Sequence, residues 1–174
     1  MCIRDSPYLA GERAPLWNAD VKGSFFGLTL AHQKEHMIRA ALEGVLFNHY
    51  TVYLALIEVM GETPQQLKAT GGFSKSELWR QMMADIFDTP LSVPESYESS
   101  CLGACLLGLK ALGEIEDYSV VEDMVGTTFE HQPEEESVQV YQELLPLFID
   151  LSRSLTEHYH KIATFQRKHT TLGE

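Results

Sequence analysis

Cysteine is scarce in this sequence, and its first residues do not follow the pattern of a secretion signal. The three cysteines, Cys2, Cys101 and Cys105, are odd in number and include no CxxC pair, which argues against a disulfide framework and against a structural zinc site. Cys101 and Cys105 lie in an apolar, helical stretch, where we expect them to be small buried packing residues. Because the first residues also lack the basic region and apolar core of a signal peptide, we expect a cytoplasmic protein.

Positive charge and long apolar runs are also limited. The chain has 13 basic and 25 acidic residues, a formal net charge of -12, and no cluster of lysines or arginines that reverses this balance locally. Such a surface repels phosphate backbones and anionic lipids, so we expect neither a nucleic acid nor a membrane partner. No apolar run approaches the roughly 18 to 20 residues that a membrane-spanning helix needs, so we expect no such helix.

The length and composition are those of one folded domain. With 174 residues, 44% of them hydrophobic, the chain can bury one core but is too short for two ordinary domains. Residues 1–6 follow neither a strand nor a helix period, and the sequence from Pro7 begins as if within a domain. We therefore interpret residues 1–6 as a non-native or truncation leader, residues 7–166 as a partial domain, and residues 167–174 as a tail.

The hydrophobic pattern predicts an α/β fold with few strands. Helices are expected over residues 33–60, from Ser74 to just before Pro90, over residues 99–112, and from Pro133 onward with an interruption at Pro146. Ser74 and Glu77 fit a capping box at the start of the second helix. Short extended segments are expected at residues 23–30, 67–70, 91–93 and 127–131. Because strands and helices alternate while the strands are few, the pattern is typical of an α/β domain with an incomplete sheet.

A pair of glycines stands between a predicted strand and the second helix. Gly71 and Gly72 would let the backbone approach a ligand closely, and the amides of the following helix would point towards it. A nucleotide is the natural ligand for such a turn. Taken alone, however, two glycines before a helix more often form a plain turn, and the chain has neither a P-loop nor a GxGxxG motif.

Two histidines near the start of the first helix provide an alternative site. His32 and His36 are four residues apart with Glu35 between them, but the order differs from the HExxH motif and no third ligand is evident. We interpret them as a solvated helix start and predict no metal ligand in the chain. No Ser/His/Asp or Cys/His set can be argued from the spacing either.

Four blocks of this sequence resemble the FGGY carbohydrate kinases. Within residues 23–43, the pattern GxFxGL is followed seven residues later by HMxxAALE, which fills every constrained position of that family's C-terminal signature. The other blocks are residues 7–17, residues 70–85, and Pro94-Glu95 together with residues 102–104. The similarity covers nearly everything after residue 6, and it is greatest to family members that phosphorylate a sugar acid.

This resemblance implies a fold, a reaction and a set of contacts. It implies the C-terminal domain of an actin-like, ribonuclease H-like ATPase, truncated at its N-terminal side, which uses ATP and Mg²⁺ to phosphorylate a sugar hydroxyl. It implies that Gly71, Gly72, Phe73 and Ser76 bind ATP, with Gly72 contacting it through its backbone and Ser76 near the nucleoside or α-phosphate. In this family the aspartate base, the sugar-binding residues and the phosphate loop precede the segment matched here. We therefore expect no catalytic residue in this chain, and we expect an N-terminal domain of the same protein as its partner.

Two alternative functions remain open from the sequence. The whole protein could act on another sugar, as a xylulokinase does, because the residues that choose the sugar are not in this chain. The chain could also be a non-catalytic nucleotide-binding or interaction module. Assembly into a homo-oligomer is compatible with the sequence as well.

Overall fold

The computed structural model describes residues 4–14, 16–94 and 99–169. Several expectations fall wholly or partly outside these ranges. They concern residues 1–3 of the predicted leader, Pro15 and Glu95 in two of the family blocks, and residues 170–174 of the predicted tail.

The described elements alternate between short strands and helices, as expected of an α/β chain. In chain order they are β1 (Arg4–Ser6), β2 (Ser24–Phe26), α1 (Lys34–Met60), β3 (Leu67–Lys68), a 3-10 turn (Gly72–Lys75), α2 (Glu77–Phe87), β4 (Leu91–Pro94), α3 (Ser99–Leu112), α4 (Val120–Met124), β5 (Thr127–His131) and α5 (Glu135–His169).

The chain divides into two compact units. The first unit comprises Met1–Thr63 and Gln139–Glu174, and the second comprises Pro64–Val138. Helix α5 starts in the second unit and belongs to the first from Gln139 onward. It extends to His169, beyond the boundary that we predicted at residue 166.

The core of the first unit is built on aromatic contacts between α1 and α5. Phe47 of α1 is fully buried. Its ring stacks on that of Phe148 with 5.3 Å between centroids and meets Tyr141 edge-on at 5.9 Å. The Arg39 guanidinium donates to Glu43 at 2.9 Å and to the Tyr141 hydroxyl at 3.1 Å, which adds a polar contact beside the rings. Together these contacts hold two long helices that neither length nor propensity alone would stabilise.

Helix α1 is long and apolar enough to cross a membrane by length and composition. It has 27 residues, and an 18-residue stretch of it has a mean hydropathy of 1.2 with at most two charged side chains. Our expectation of no such helix was therefore wrong by these criteria, because it considered uninterrupted apolar runs, whereas α1 includes polar residues such as Asn48 and His49. A helix in the core of a water-soluble protein meets the same criteria, and α1 packs its buried side on α5.

The second unit contains a three-stranded sheet in the order β3-β4-β5. Strands β3 and β4 are parallel, and β4 and β5 are antiparallel. The apolar cluster beneath the sheet comprises Ala69, Ala84, Leu91 and Val93. The parallel pair connected through α2 is the βαβ arrangement that places a loop at the carboxyl end of a strand.

Helix α2 begins later than the sequence pattern indicated. It starts at Glu77 with Ser76 as its N-cap, whereas Ser74 lies within the 3-10 turn. The predicted capping box of Ser74 and Glu77 is therefore wrong. The Ser74 hydroxyl instead donates to the Gly71 carbonyl at 2.5 Å, so it closes the turn and cannot cap the helix.

Two further expectations need correction. Pro146 does not interrupt the last helix, since α5 continues through it from Glu135 to His169. A proline removes one backbone donor, and a helix with long flanking segments can tolerate that loss.

Cys101 and Cys105 are exposed rather than buried. The buried residue of α3 is Leu106. The apolar composition of that helix did not reveal which of its faces packs.

Candidate functional site

The candidate site is the loop that leaves β3. The Leu67 amide donates to the Pro90 carbonyl at 2.8 Å, and the Ala69 amide donates to the Ser92 carbonyl at 3.0 Å. Ala69 is buried against the apolar cluster. The chain is therefore anchored in the sheet up to the residue before Thr70, and the glycines follow at once.

The backbone at the first glycine requires a residue without a side chain. Gly71 has φ 106° and ψ -179°, a region that only glycine occupies without strain. A Cβ atom built on Gly71 or on Gly72 would meet no atom of the described chain within 4 Å. The two glycines therefore border open space, which a ligand could approach closely.

A 3-10 turn holds the loop from behind. Ser74 is completely buried, and both its amide, at 3.1 Å, and its hydroxyl, at 2.5 Å, donate to the Gly71 carbonyl. The Ser76 amide donates to the Phe73 carbonyl at 3.0 Å. These two hydrogen bonds to the Gly71 carbonyl fix the orientation of the peptide between Gly71 and Gly72.

Phe73 and Ser76 are both engaged with α2. The Phe73 ring meets Trp79 edge-on with 5.7 Å between centroids and packs on the apolar cluster. The Ser76 hydroxyl accepts the Trp79 amide at 3.4 Å as the N-cap of α2. The structure thus brings the four predicted residues together in one turn, and their contacts with ATP stay predictions.

A buried arginine supports this turn, and sequence reasoning missed it. Arg80 is 5% exposed. It donates from Nη1 to the Ser74 carbonyl at 2.6 Å and from Nε to His131 Nε2 at 2.9 Å, and its guanidinium lies 3.9 Å from the centre of the Phe129 ring. A charged residue next to the apolar stripe of α2 is ordinarily assigned to solvent, so the hydrophobic period carried no signal for it.

The hydrogen bonds continue from His131 to the start of α5. The His131 Nδ1 atom lies 3.0 Å from Gln81 Oε1, and Gln81 donates to Asp85 at 2.8 Å. Asp85 also accepts the Glu134 amide at 2.9 Å. Burial, followed by the positive charge of Arg80, lowers the pKa of His131 below its ordinary value. A neutral His131 suits this arrangement, because its Nε2 must accept a hydrogen bond from Arg80.

The two histidines singled out in the sequence serve local backbone contacts. The Thr29 amide donates to His32 Nδ1 at 2.8 Å, and the Gln33 amide donates to His36 Nδ1 at 3.0 Å. Within residues 4–14, 16–94 and 99–169, no group of three or more His, Cys, Asp or Glu side chains is placed to hold a metal ion.

A separate cavity of about 240 Å³ lies in the first unit. Its polar lining includes Tyr8, Glu12, Arg13, Asn48 and His49. The Tyr8 hydroxyl donates to the Asn48 side chain at 3.2 Å, and the Glu12 carboxylate accepts the Leu16 amide at 2.8 Å. Burial raises the pKa of Tyr8 to about 12, so its hydroxyl is protonated at neutral pH. The first of these contacts joins Tyr8 to α1, and the second closes a local turn between Glu12 and Leu16.

A family model matches most of this chain. The model is that of the FGGY family of carbohydrate kinases, C-terminal domain, and it matches residues 3–112. The match includes the glycine loop, α2 and the whole of α1.

Individual relatives extend this similarity along the chain. The gluconokinase of Bacillus licheniformis is 64% identical over 161 residues, which are 92% of this chain and 31% of the relative. The xylulose kinase of Bacillus subtilis is 31% identical over 144 residues, which are 82% of this chain and 29% of the relative. The crystal structure of gluconate kinase from Lactobacillus acidophilus superposes with a TM-score of 0.84 at 38% identity, covering 92% of this chain and 32% of that one. The chain thus spans about a third of the length of these relatives.

Proposed function

Because the chain belongs to the FGGY family of carbohydrate kinases, as its C-terminal domain, we propose that it forms the ATP-facing part of a gluconokinase. That enzyme transfers the γ-phosphoryl group of ATP to D-gluconate and releases 6-phospho-D-gluconate and ADP. The observation that carries the choice of sugar is the identity of 64% with a gluconokinase, against 31% with a xylulose kinase.

The glycine loop is the proposed contact with ATP. Gly71 and Gly72 border open space, and the carbonyl of Gly71 is turned towards Ser74 by two hydrogen bonds. The side of the loop opposite Ser74 is therefore free for a nucleotide to lie against the backbone. We propose that Gly72 contacts ATP through its backbone, that Phe73 keeps the turn on the core, and that Ser76 lies near the nucleoside or α-phosphate.

We propose that Mg²⁺ binds together with the phosphates of ATP. Across the described part of the chain, no group of three or more His, Cys, Asp or Glu side chains is placed to hold a metal ion, and Mg²⁺ in kinases is commonly held by substrate phosphates with one or two carboxylates. We therefore assign its protein ligands to another part of the enzyme. When bound, the ion neutralises charge that develops on the transferring phosphoryl group.

The contribution of this chain to catalysis is positioning. Phosphoryl transfer depends mainly on the alignment of ATP with the acceptor hydroxyl and on stabilisation of charge. A rigid loop behind the nucleotide reduces the freedom of ATP to misalign. We propose that an N-terminal domain supplies the base and the sugar site, that the enzyme acts in the cytoplasm, and that this chain alone releases no ADP from ATP and gluconate.

A chimaeric enzyme tests the proposal. Residues 7–169 of this chain would replace the matching segment of the Bacillus licheniformis gluconokinase, with which they share most of their sequence. We expect ATP-dependent phosphorylation of gluconate in a coupled ADP assay. A parallel chimaera with the Bacillus subtilis xylulose kinase should phosphorylate xylulose, because we assign the choice of sugar to the remaining part.

A glycine variant of the gluconokinase chimaera separates ATP binding from folding. Gly72→Ala adds a methyl group that meets no atom of the described chain, so it should leave folding intact while raising KM for ATP and not KM for gluconate. Gly108→Ala, also free of contacts within 4 Å, is the matched control and should change neither constant. An unchanged KM for ATP in Gly72→Ala would contradict the proposed contact.

A further inference from the structure

A continuous series of hydrogen bonds runs from the glycine loop through the interior of the second unit. Ser74 holds the Gly71 carbonyl, Arg80 holds the Ser74 carbonyl, and His131 accepts from Arg80. From there the series passes through Gln81 to Asp85, which accepts the Glu134 amide. Of the four residues assigned to ATP contact, Gly71 alone takes part in this series, as its first acceptor.

The arginine in this series is unusual because it is buried without an ion-pair partner. Arg80 is 5% exposed, and among the described residues no carboxylate lies within salt-bridge distance of it. A buried charge without an opposite charge is costly unless hydrogen bonds compensate it. Its compensation comes from the Ser74 carbonyl at 2.6 Å, His131 at 2.9 Å and the face of Phe129. The cost of burying Arg80 is therefore linked directly to the geometry of the turn.

We propose that Arg80 and His131 are positioning residues that hold the glycine loop in its ATP-binding conformation, and that protonation of His131 releases the loop. Arg80 acts through the Ser74 carbonyl, and His131 acts by accepting the Nε–H of Arg80. Neither residue touches ATP in this scheme. The link to nucleotide binding rests on the function proposed above, whereas the link to loop order stands on the hydrogen bonds alone.

Protonation acts through the loss of an acceptor. His131 Nε2 accepts from Arg80, and Nδ1 then carries the proton that is donated to Gln81 Oε1. A second proton on Nε2 removes the acceptor and places two positive charges side by side. The charged groups that act on His131 are Arg80, Glu77 and Asp85, and the two carboxylates oppose the effect of the arginine. The effects of burial and of Arg80 on the His131 pKa are larger than those of the two carboxylates. We therefore expect His131 to become protonated below the ordinary histidine pKa of about 6.5.

Amide hydrogen exchange measured on this chain tests the proposal. The Ser74 and Ser76 amides close the turn by donating to the Gly71 and Phe73 carbonyls, so their protection factors report whether the loop is held. Wild-type protein, Arg80→Lys and His131→Gln would be compared by NMR at about pH 7.5 and at about pH 5, after correction for intrinsic exchange. Arg153→Lys, an exposed arginine of α5, is the matched control.

The expected result is a local loss of protection. Arg80→Lys should lower protection of both amides by roughly tenfold or more, because a charged hydrogen bond to a carbonyl is lost. Arg153→Lys should leave them unchanged. In the wild type, the same loss should follow acidification, and His131→Gln should abolish that pH dependence, since glutamine can accept from Arg80 but does not titrate.

Two results would overturn the proposal. One is wild-type protection of the loop amides that does not change with pH, and the other is a pH dependence that persists in His131→Gln. If Arg80→Lys weakens protection throughout the second unit, including the β4 amides, the pH comparison decides. Titration of each protein with ATP distinguishes the function proposed above from the coupling proposed here. Absence of ATP binding by the wild type contradicts the proposed function. An ATP affinity that does not change when protection of the loop amides changes contradicts the coupling.

Discussion

The two units of this chain bury different kinds of side chains. All five buried polar or charged residues among the described ones lie in the second unit: Ser74, Arg80, Thr89, Asp85 and Ser92. The first unit instead joins α1 to α5 through the stacked rings of Phe47 and Phe148 and the edge contact with Tyr141. Apolar packing depends on the area removed from water, whereas buried hydrogen bonds depend on the position of individual atoms.

This difference matches the roles proposed for the two units. The loop proposed to contact ATP lies in the second unit, where the carbonyls of Gly71, Phe73 and Ser74 each accept a hydrogen bond. A loop that must present its peptides in one orientation benefits from such contacts, because an unmade buried hydrogen bond is costly. The first unit needs only to keep two long helices together, and the packing of aromatic side chains between them is sufficient for that.

The largest effect should come from the aromatic core of the first unit. Phe47→Ala removes a completely buried ring that contacts Phe148 and Tyr141, and it should lower the free energy of unfolding by about 3 to 5 kcal/mol. Urea unfolding monitored by circular dichroism measures the change. Phe165→Ala, which truncates a ring that is 59% exposed, is the matched control. Equal losses in the two variants would contradict the assignment of the core.

A smaller loss is expected from the polar interior of the second unit. Asp85 is buried and accepts from both Gln81 and the Glu134 amide. Asp85→Ala leaves both donors without their acceptor and should cost about 2 to 3 kcal/mol in urea unfolding. Asp150→Ala, at an exposed position of α5, should change stability by at most about 0.5 kcal/mol. If Asp85→Ala is as mild as that, the second unit does not depend on its polar interior.

The two glycines should respond differently to the same substitution. Gly71→Ala forces a side chain onto a backbone with φ 106° and should destabilise the protein by about 1 to 3 kcal/mol. At Gly72, φ is not positive and the methyl group meets nothing within 4 Å, so Gly72→Ala should be close to neutral. Thermal unfolding of the two variants side by side provides the comparison. Similar melting temperatures would mean that the loop adopts another conformation.

The smallest effect is expected at an exposed contact of the first unit. Hydrogen bonds from Arg167, and then from His160, lower the pKa of Asp20. Because the folded pKa is depressed, this contribution to stability is present above the ordinary value of about 3.9 and disappears as pH falls through the folded value. We therefore expect a weak acid-sensitive step in the NMR signals of the last turns of α5, and Asp20→Asn should remove it. Retention of that step in Asp20→Asn would assign it to another group.

Much of the architecture could be predicted from the sequence. The bounds of α1 and α3 follow from their apolar composition and from a glycine at the end of each, Gly61 and Gly113, both with φ 75°. The family resemblance and the α/β fold of the actin-like kind that it implies are confirmed by the family match and by the structural similarity. These features arise from local patterns and from motifs with fixed spacing.

The interior of the candidate site could not be predicted in the same way. Ser74 and Glu77 satisfy the sequence rule for a capping box, yet the Ser74 hydroxyl donates to the Gly71 carbonyl three residues earlier. The contact between Arg80 and His131 joins residues 51 positions apart, and no local period encodes such a pairing. The sequence indicated which residues form the loop but contained no signal for the side chains that hold it.

We propose above that ATP lies against the Gly71–Gly72 loop, and an NMR titration of the ¹⁵N-labelled chain with ATP and Mg²⁺ is a direct test of that contact. We expect the amide signals of Gly71, Gly72, Phe73 and Ser76 to shift together along one saturation curve. Because a loop without the rest of the site binds weakly, the dissociation constant should be no tighter than roughly millimolar. The contact between ATP and the loop would be contradicted if the loop signals stay fixed while those of Tyr8 and Asn48 in the first-unit cavity shift, or if all signals stay fixed.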